Sequence, residues 1–164
     1  AITSCSFSEN TAENGGAGGF YVNSNHERMK LNSCNFTKNT ANHGGGMYVN
    51  SATNYLALDS CGFTENTAHI HGGGMYLGSG NLGMQLRGMT FVNNEAHIDG
   101  GALSMMFDNS GMQVFNSIFK NNIADNFGKF RYYHCVAVMF TCYNSICVVI
   151  IVLQFFVNYV ILCN

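Results

Sequence analysis

Apolar residues recur along this chain in a long repeat, without the spacing of about 3.6 residues that an amphipathic helix shows. The phrase Phe-x-x-Asn-x-Ala occurs five times, at intervals of 27 to 29 residues. Its members are Phe7, Phe36, Phe63, Phe91 and Phe119, then Asn10, Asn39, Asn66, Asn94 and Asn122, then Ala12, Ala41, Ala68, Ala96 and Ala124. A fixed period of this size predicts a solenoid built from one stacked unit.

Each repeat also contains a short strand-like run that follows a pair of glycines, as in Gly45-Gly46-Met47-Tyr48-Val49. From Tyr48 to Ala68 there are 20 residues, and the equivalent distance is the same in the other repeats. The variation in repeat length therefore lies between each alanine and the following run. We expect this one turn to accept insertions, whereas the other strands must keep register with their neighbours.

The predicted elements are strands. Alternating apolar residues bounded by Asn, Gly and Ser are typical of strands, and the recurrent glycine clusters disfavour helical repeats. A repeat of about 28 residues is too long for one strand at about 3.3 Å per residue. It fits one turn of a flattened coil with two or three short strands, each pairing in parallel with its copy in the next coil. The sequence thus predicts an all-β fold, a parallel β-helix (solenoid) of about four to five coils over residues 1–128.

Stacking of coils would give each repeated residue a structural role. The phenylalanines would form one buried aromatic stack, and the asparagines an amide ladder in which each side chain bonds to the next. The alanines would be small because they pack beneath a corner, and the paired glycines would supply backbone angles that other residues resist. Cys5, Cys34 and Cys61 share one repeat position, and we expect an internal column of free thiols because directly stacked neighbours have poor disulfide geometry.

This repeat resembles that of the chlamydial polymorphic outer membrane proteins, in which Phe-x-x-Asn is coupled to Gly-Gly-Ala and an aliphatic residue. Phe91-x-x-Asn94 with Gly100-Gly101-Ala102-Leu103 resembles the full motif, whereas two other copies have Gly-Gly-Gly-Met at 44–47 and 72–75. The resemblance covers about residues 1–128. It implies a right-handed β-helix in a secreted or surface-displayed passenger region, often tied to adhesion, and it implies no catalytic residues.

The composition of the chain argues against some classes of function. The chain has 164 residues, a net charge of −2 and only 10% charged residues, so it lacks the basic patch that nucleic-acid binding requires. Its glycine clusters lack the lysine of a phosphate-binding loop, and we expect no cofactor. Because Ala1 already lies inside a repeat, we expect the chain to be part of a longer solenoid, with further coils as neighbours.

The repeat breaks after Gly128, and the atypical hydrophobic tail, residues 129–164, differs sharply in composition. Its apolar stretch, residues 135–163, contains four of the seven cysteines. One interpretation is a transmembrane segment, the only case in which a membrane would be a partner. Another is a mistranslated intron or frameshift, since a splice-donor sequence can encode Gly128-Lys129-Phe130 and T-rich noncoding DNA yields the residues that follow. The third is a genuine buried strand or helix.

The intact repeat, which carries no visible active site, predicts a structural or adhesive module of a secreted or cell-surface protein and not an enzyme. Its partner would be a host or cell-surface protein or a glycan. The alternative is a non-catalytic glycan-binding β-helix, in which Tyr21, Tyr48 and Tyr76 face outward as an aromatic ladder. A carbohydrate-active β-helix enzyme is a third hypothesis. It needs two nearby carboxylates, and no two acidic residues are expected to stack on adjacent coils.

The turn between each alanine and the next glycine pair is the part richest in titratable residues. His43, His71 and Asp99 each precede the glycine pair, and His69 and His97 each follow the repeat alanine. Stacked coils would bring such side chains within about 5 Å of their copies. They could then bind zinc, or repel one another when protonated and loosen the turn below about pH 6.5. We adopt the simpler interpretation, a solvated polar rim without a metal.

Overall fold

The computed structural model describes residues 1–106 and 109–125, together with two later strands. The described residues up to 125 form an all-β, right-handed parallel solenoid of about four turns, which confirms the predicted fold class. The first coil contains β1 (Ile2–Thr3), β2 (Ser6–Ser8), β3 (Thr11–Ala12) and β4 (Phe20–Val22). The second contains β5 (Lys30–Asn32), β6 (Asn35–Thr37), β7 (Thr40–His43) and β8 (Met47–Val49).

The later coils repeat this order. The third coil contains β9 (Ala57–Asp59), β10 (Gly62–Thr64), β11 (Thr67–His71) and β12 (Met75–Leu77). The fourth contains β13 (Gln85–Arg87), β14 (Thr90–Val92), β15 (Glu95–Ala96) and β16 (Leu103–Met105). A partial fifth coil contains β17 (Gln113–Phe115), β18 (Ile118–Lys120) and β19 (Ile123–Ala124).

Equivalent strands of successive coils pair in parallel and form four sheets that run along the solenoid. Their orders are β1-β5-β9-β13-β17, β2-β6-β10-β14-β18, β3-β7-β11-β15-β19 and β4-β8-β12-β16. In the second sheet Phe63 pairs with Phe36 on one side and with Phe91 on the other. The sequence repeat therefore sets the register, because each repeated residue lies over its own copy.

Each complete coil has four strands, more than the two or three that the sequence predicted. Corners of only two residues separate the first three strands of a coil. In the second coil these corners begin with Ser33 (φ 52°) and Lys38 (φ 54°), which are followed by buried Cys34 and Asn39. A single left-handed residue changes the chain direction sharply, so three residues are enough for one side of the coil.

Stacked columns of apolar side chains fill the inside of the coils. The five phenylalanine rings lie nearly parallel, with centroids 4.6–4.9 Å apart and interplanar angles of 5–9°. An aliphatic column from the first sheet runs beside them, and its buried members are Leu31, Leu58, Leu86 and Val114. Burial of these columns is the main non-directional force that holds the coils together.

A buried amide ladder runs along one corner of the solenoid. Nδ2 of Asn39 donates to Oδ1 of Asn66 at 3.0 Å, and Nδ2 of Asn66 donates to Oδ1 of Asn94 at 2.9 Å. Each of these Oδ1 atoms also accepts the backbone N–H of the preceding asparagine. Each Nδ2 also donates to a phenylalanine carbonyl one coil back, Phe36 in the case of Asn66. The inward amides are therefore satisfied, as buried polar groups must be.

A second buried polar column was not predicted from the sequence. The backbone N–H of Thr53 donates to Oδ1 of Asn81 at 2.8 Å, and that of Asn81 donates to Oδ1 of Asn109 at 3.0 Å. The signal that could have revealed it is weak: Asn81 and Asn109 are each followed two residues later by glycine, at Gly83 and Gly111. Thr53, which precedes β9, occupies the equivalent position and interrupts this pattern.

The paired glycines do not have the unusual backbone angles that we expected of them. Positive φ belongs instead to the glycine before the pair in the second and third coils, Gly44 (58°) and Gly72 (69°), and to Gly100 (63°) before Gly101-Ala102 in the fourth. The pairs are needed for close packing, because a Cβ on Gly45 would lie 2.5 Å from the carbonyl oxygens of Gly73 and Thr67. The backbones at this point approach too closely for any side chain.

The cysteine column has buried members at Cys34 and Cys61 and a partly exposed member at Cys5, and all three are free thiols. Desolvation by burial raises the pKa of the Cys61 thiol. A thiol of raised pKa is a poor nucleophile, so Cys61 acts as a small apolar residue that fills the core.

In the tail the structure describes two strands, β20 (Ala137–Tyr143) and β21 (Ile146–Val152), which pair antiparallel. The other residues of 129–164 lie outside the described part of the chain. The three interpretations of the tail concern mainly these residues. They are a membrane segment, a mistranslated intron or frameshift, and a buried element. Among the residues that are described, no helix is long and apolar enough to cross a membrane.

Phe63→Ala is expected to lower the free energy of unfolding by about 3–5 kcal/mol, because it removes a buried ring that is stacked on both faces. Phe7→Ala is the matched control, since Phe7 is partly exposed and stacks in parallel on Phe36 alone. It should cost clearly less. Chemical denaturation measures both values. Equal losses, or a loss below about 1 kcal/mol at Phe63, would contradict the stacked core.

Candidate functional site

Two groups of polar side chains lie on the outside of the coils near the variable turn. The histidine–tyrosine group comprises His43, Tyr48, His71, Tyr76 and Asp99. The carboxylate–histidine group comprises Glu95, His97 and Asp125. Both lie at or beside the turn that joins the third sheet to the fourth. In the second and third coils, the pairing of β11 with β7 shifts register between Ala68 and His71.

Backbone pairing places His71 between His43 and Asp99 in the histidine–tyrosine group. The rings of His43 and His71 stack with centroids 5.4 Å apart and planes at 26°. Nδ1 of His71 lies 3.3 Å from Oδ2 of Asp99, which is ion-pair distance although the two groups are not aligned as a hydrogen bond. Nδ1 of His43 is buried and has no hydrogen-bond partner.

Burial shifts the pKa values of three members of this group, His43, Tyr48 and Tyr76. Desolvation lowers the pKa of His43, and the nearby charge of His71 lowers it further. Desolvation also raises the pKa values of the Tyr48 and Tyr76 hydroxyls. At neutral pH, His43 and both tyrosines are therefore held uncharged, and their rings pack together as an aromatic patch.

The tyrosine column differs from the outward-facing ladder that we predicted. Tyr21 is 47% exposed and Tyr48 is half-buried, but Tyr76 is only 6% exposed. The ring of Tyr76 is covered by those of His43 and His71, at centroid distances of 5.0 and 5.9 Å. The tyrosine rings also meet edge to face, at 74° and 67°, so they do not form a flat platform.

The carboxylate–histidine group draws its residues from two adjacent coils. Glu95 and His97 flank buried Ala96, and the backbone N–H of Asp125 donates to the carbonyl of Ala96 at 3.2 Å. One nitrogen or oxygen atom from each of the three side chains lies within 4.8 Å of the others, and all three residues are exposed.

The prediction that no two acidic residues stack on adjacent coils does not exclude a diagonal approach, and Glu95 and Asp125 approach each other in this way. Glu95 pairs directly with Ile123, so Asp125 is its diagonal neighbour and not its copy. Diagonal neighbours on one face of a sheet are within reach of long side chains. A comparison of equivalent positions in the repeat could not find this pair.

The histidines predicted as possible zinc ligands fall into two arrangements. His43 and His71 turn their ring faces toward each other, which directs their nitrogens past one another rather than at a common point. His69 lies beneath His97, with ring centroids 5.4 Å apart and planes at 57°. Across the described part of the chain, Glu95, His97 and Asp125 form the one set whose donor atoms converge.

No model of a known protein family matches this chain, and neither a curated protein nor a solved structure matches it. The fold and its outer surface therefore carry the functional inference.

The stability of the solenoid should fall more steeply below pH 6.5 in the natural chain than in His43→Asn. The folded pKa of His43 lies below the ordinary value of 6.5, so folding favours the neutral ring. Its contribution is complete above pH 6.5 and is lost as the pH falls toward the lower folded pKa.

Thermal unfolding followed by circular dichroism, from about pH 7.5 to about pH 5, measures this difference. His71, Asp99, Tyr48 and Tyr76 are present in both proteins, so the comparison isolates His43. His26→Asn is the matched control at an exposed histidine. Identical pH profiles for the natural chain and His43→Asn would show that burial of this ring has no energetic consequence.

Proposed function

We propose that this chain is a structural and adhesive repeat module of a secreted or cell-surface protein, without catalysis of its own. A β-solenoid is consistent with a structural repeat module. The observation that carries the proposal is the contrast between a uniform interior and a varied exterior.

One column at the end of the first-sheet strands illustrates the contrast. Its members in successive coils are paired in register, and they are Asn32, Asp59, Arg87 and Phe115. They comprise an amide, a carboxylate, a guanidinium and an aromatic ring. The residue before each of these four is aliphatic and buried. A constant scaffold that presents a variable surface suits recognition of a macromolecule along the outside of the solenoid.

The resemblance of Phe91-x-x-Asn94 and Gly100-Gly101-Ala102-Leu103 to surface-protein repeats supports an extracellular or cell-surface location. The partner would be a host or cell-surface protein, or a glycan. The charge balance of −2 gives no reason to expect nucleic acid.

Two measurements test this function. Antibodies against the chain should label intact cells that produce it as strongly as permeabilised cells. Beads coated with the folded chain should bind target cells or an extracellular matrix better than beads coated with serum albumin. Labelling that requires permeabilisation would contradict the location, and adhesion no better than albumin would contradict the adhesive role.

Glycan binding is the second candidate, and the exposed ring of Tyr21 beside half-buried Tyr48 favours it. A sugar ring packs against an exposed aromatic face. The enzyme hypothesis would now rest on Glu95 and Asp125. We do not adopt it, because glycoside hydrolysis requires two carboxylates on either side of a bound sugar and this pair lies on an exposed face.

The two ends of the tyrosine column should behave differently on a glycan array. Tyr21→Ala is expected to abolish glycan binding while leaving stability within about 0.5 kcal/mol of the natural chain. Tyr76→Ala is expected to cost about 3 kcal/mol of stability, because it removes a buried ring, and to leave binding by the still-folded protein unchanged. Glycan binding that survives Tyr21→Ala would rule out this site.

A further inference from the structure

Backbone pairing places Glu95, His97 and Asp125 at neighbouring positions on the outer face of the solenoid. Glu95 and His97 are two residues apart on one extended segment, so both point outward while Ala96 between them is buried. The next coil places Asp125 beside His97, because Ile123 pairs with Glu95 and Ala124 pairs with Ala96. The two outward side chains of one coil therefore meet a third from its neighbour.

The chemistry of this trio is that of a metal site. It offers an imidazole nitrogen and two carboxylate oxygens, and these donor atoms lie within 4.8 Å of one another. Nε2 of His97 is 4.0 Å from Oε1 of Glu95. Imidazole and carboxylate are standard zinc ligands at about 2.0–2.2 Å from the ion, so small rotations of three exposed side chains would close the set.

Charge also favours a divalent cation at this point. Glu95 and Asp125 bring two carboxyl groups close together, and a divalent cation would balance their negative charge. The imidazole favours zinc over calcium or magnesium, which take oxygen ligands.

We propose that Glu95, His97 and Asp125 bind one zinc ion on the outer face of the solenoid, with solvent in the remaining coordination position. Such an ion would tie the fourth coil to the partial fifth coil through side chains, in addition to the backbone pairing of β15 with β19. The inference is independent of the adhesive function, since it concerns a bridge between coils.

Calorimetric titration of the full chain with zinc chloride at about pH 7.5, where free histidine is mostly neutral, tests the proposal. We expect saturable binding of one zinc ion per chain at this group. His97→Ala and Asp125→Asn should each weaken that binding at least about tenfold, since each removes one of three protein ligands. His26→Ala is the matched control, because it removes an exposed histidine elsewhere on the surface, and it should leave the affinity unchanged.

Titration with cobalt(II) chloride separates this group from the cysteines. Binding at Glu95, His97 and Asp125 predicts no thiolate-to-metal charge-transfer band, whereas binding at a cysteine would produce one. The proposal is overturned by any of three results: no saturable heat, an affinity unchanged in His97→Ala, or a thiolate band that accounts for the bound metal. Because all the substituted side chains are exposed, circular dichroism should show the same fold in every variant.

Discussion

The parallel register between coils is the constraint on which the rest of this structure depends. Successive coils of the described part pair strand on equivalent strand, so an inward side chain packs against the side chain at the same repeat position of its neighbouring coil. Phenylalanine, leucine and asparagine can do this, because flat rings, aliphatic chains and amides are self-complementary. A charged side chain cannot, and the buried polar residues of the described coils are asparagine, threonine and serine.

The two main columns of the core contribute differently to that register. The phenylalanine stack supplies apolar burial, which is large but weakly directional. The asparagine ladder is directional, because its hydrogen bonds require a fixed register. Nδ2 of Asn66 donates to Oδ1 of Asn94, and Oδ1 of Asn66 accepts the backbone N–H of Asn39. A strand that slipped by one residue would turn its apolar side chains to solvent and leave buried amides unpaired, at a cost of about 1–3 kcal/mol for each unsatisfied group.

The fold could be predicted from the sequence because a residue that recurs at a fixed spacing is expected to stack on its copies in neighbouring coils. Phe63 and Asn66 recur at one spacing, and the structure places both in columns. Contacts between unlike residues could not be read in the same way. Burial of Tyr76 depends on His43, which lies in another column of the preceding coil. The convergence of Glu95 with Asp125 depends on a diagonal contact that no comparison of equivalent positions reveals.

Inward and outward positions also differ in how far their residues can vary. Inward columns are restricted by self-packing, whereas outward positions such as Asp59 and Arg87 are free to change from coil to coil. Combinations of outward residues can therefore form different surfaces along this solenoid. The histidine–tyrosine and carboxylate–histidine groups are two such combinations, and both lie at or beside the turn where repeat length varies.

Hydrogen exchange of the asparagine side-chain amides, measured by nuclear magnetic resonance, tests the central claim most directly. If the coils stack in the described register, the Nδ2 protons of Asn39, Asn66 and Asn94 are buried and doubly bonded. They should then exchange more than about a hundredfold more slowly than those of exposed Asn32. Exchange of all four side chains at the same rate would show that the ladder, and with it the register of the solenoid, does not exist in solution.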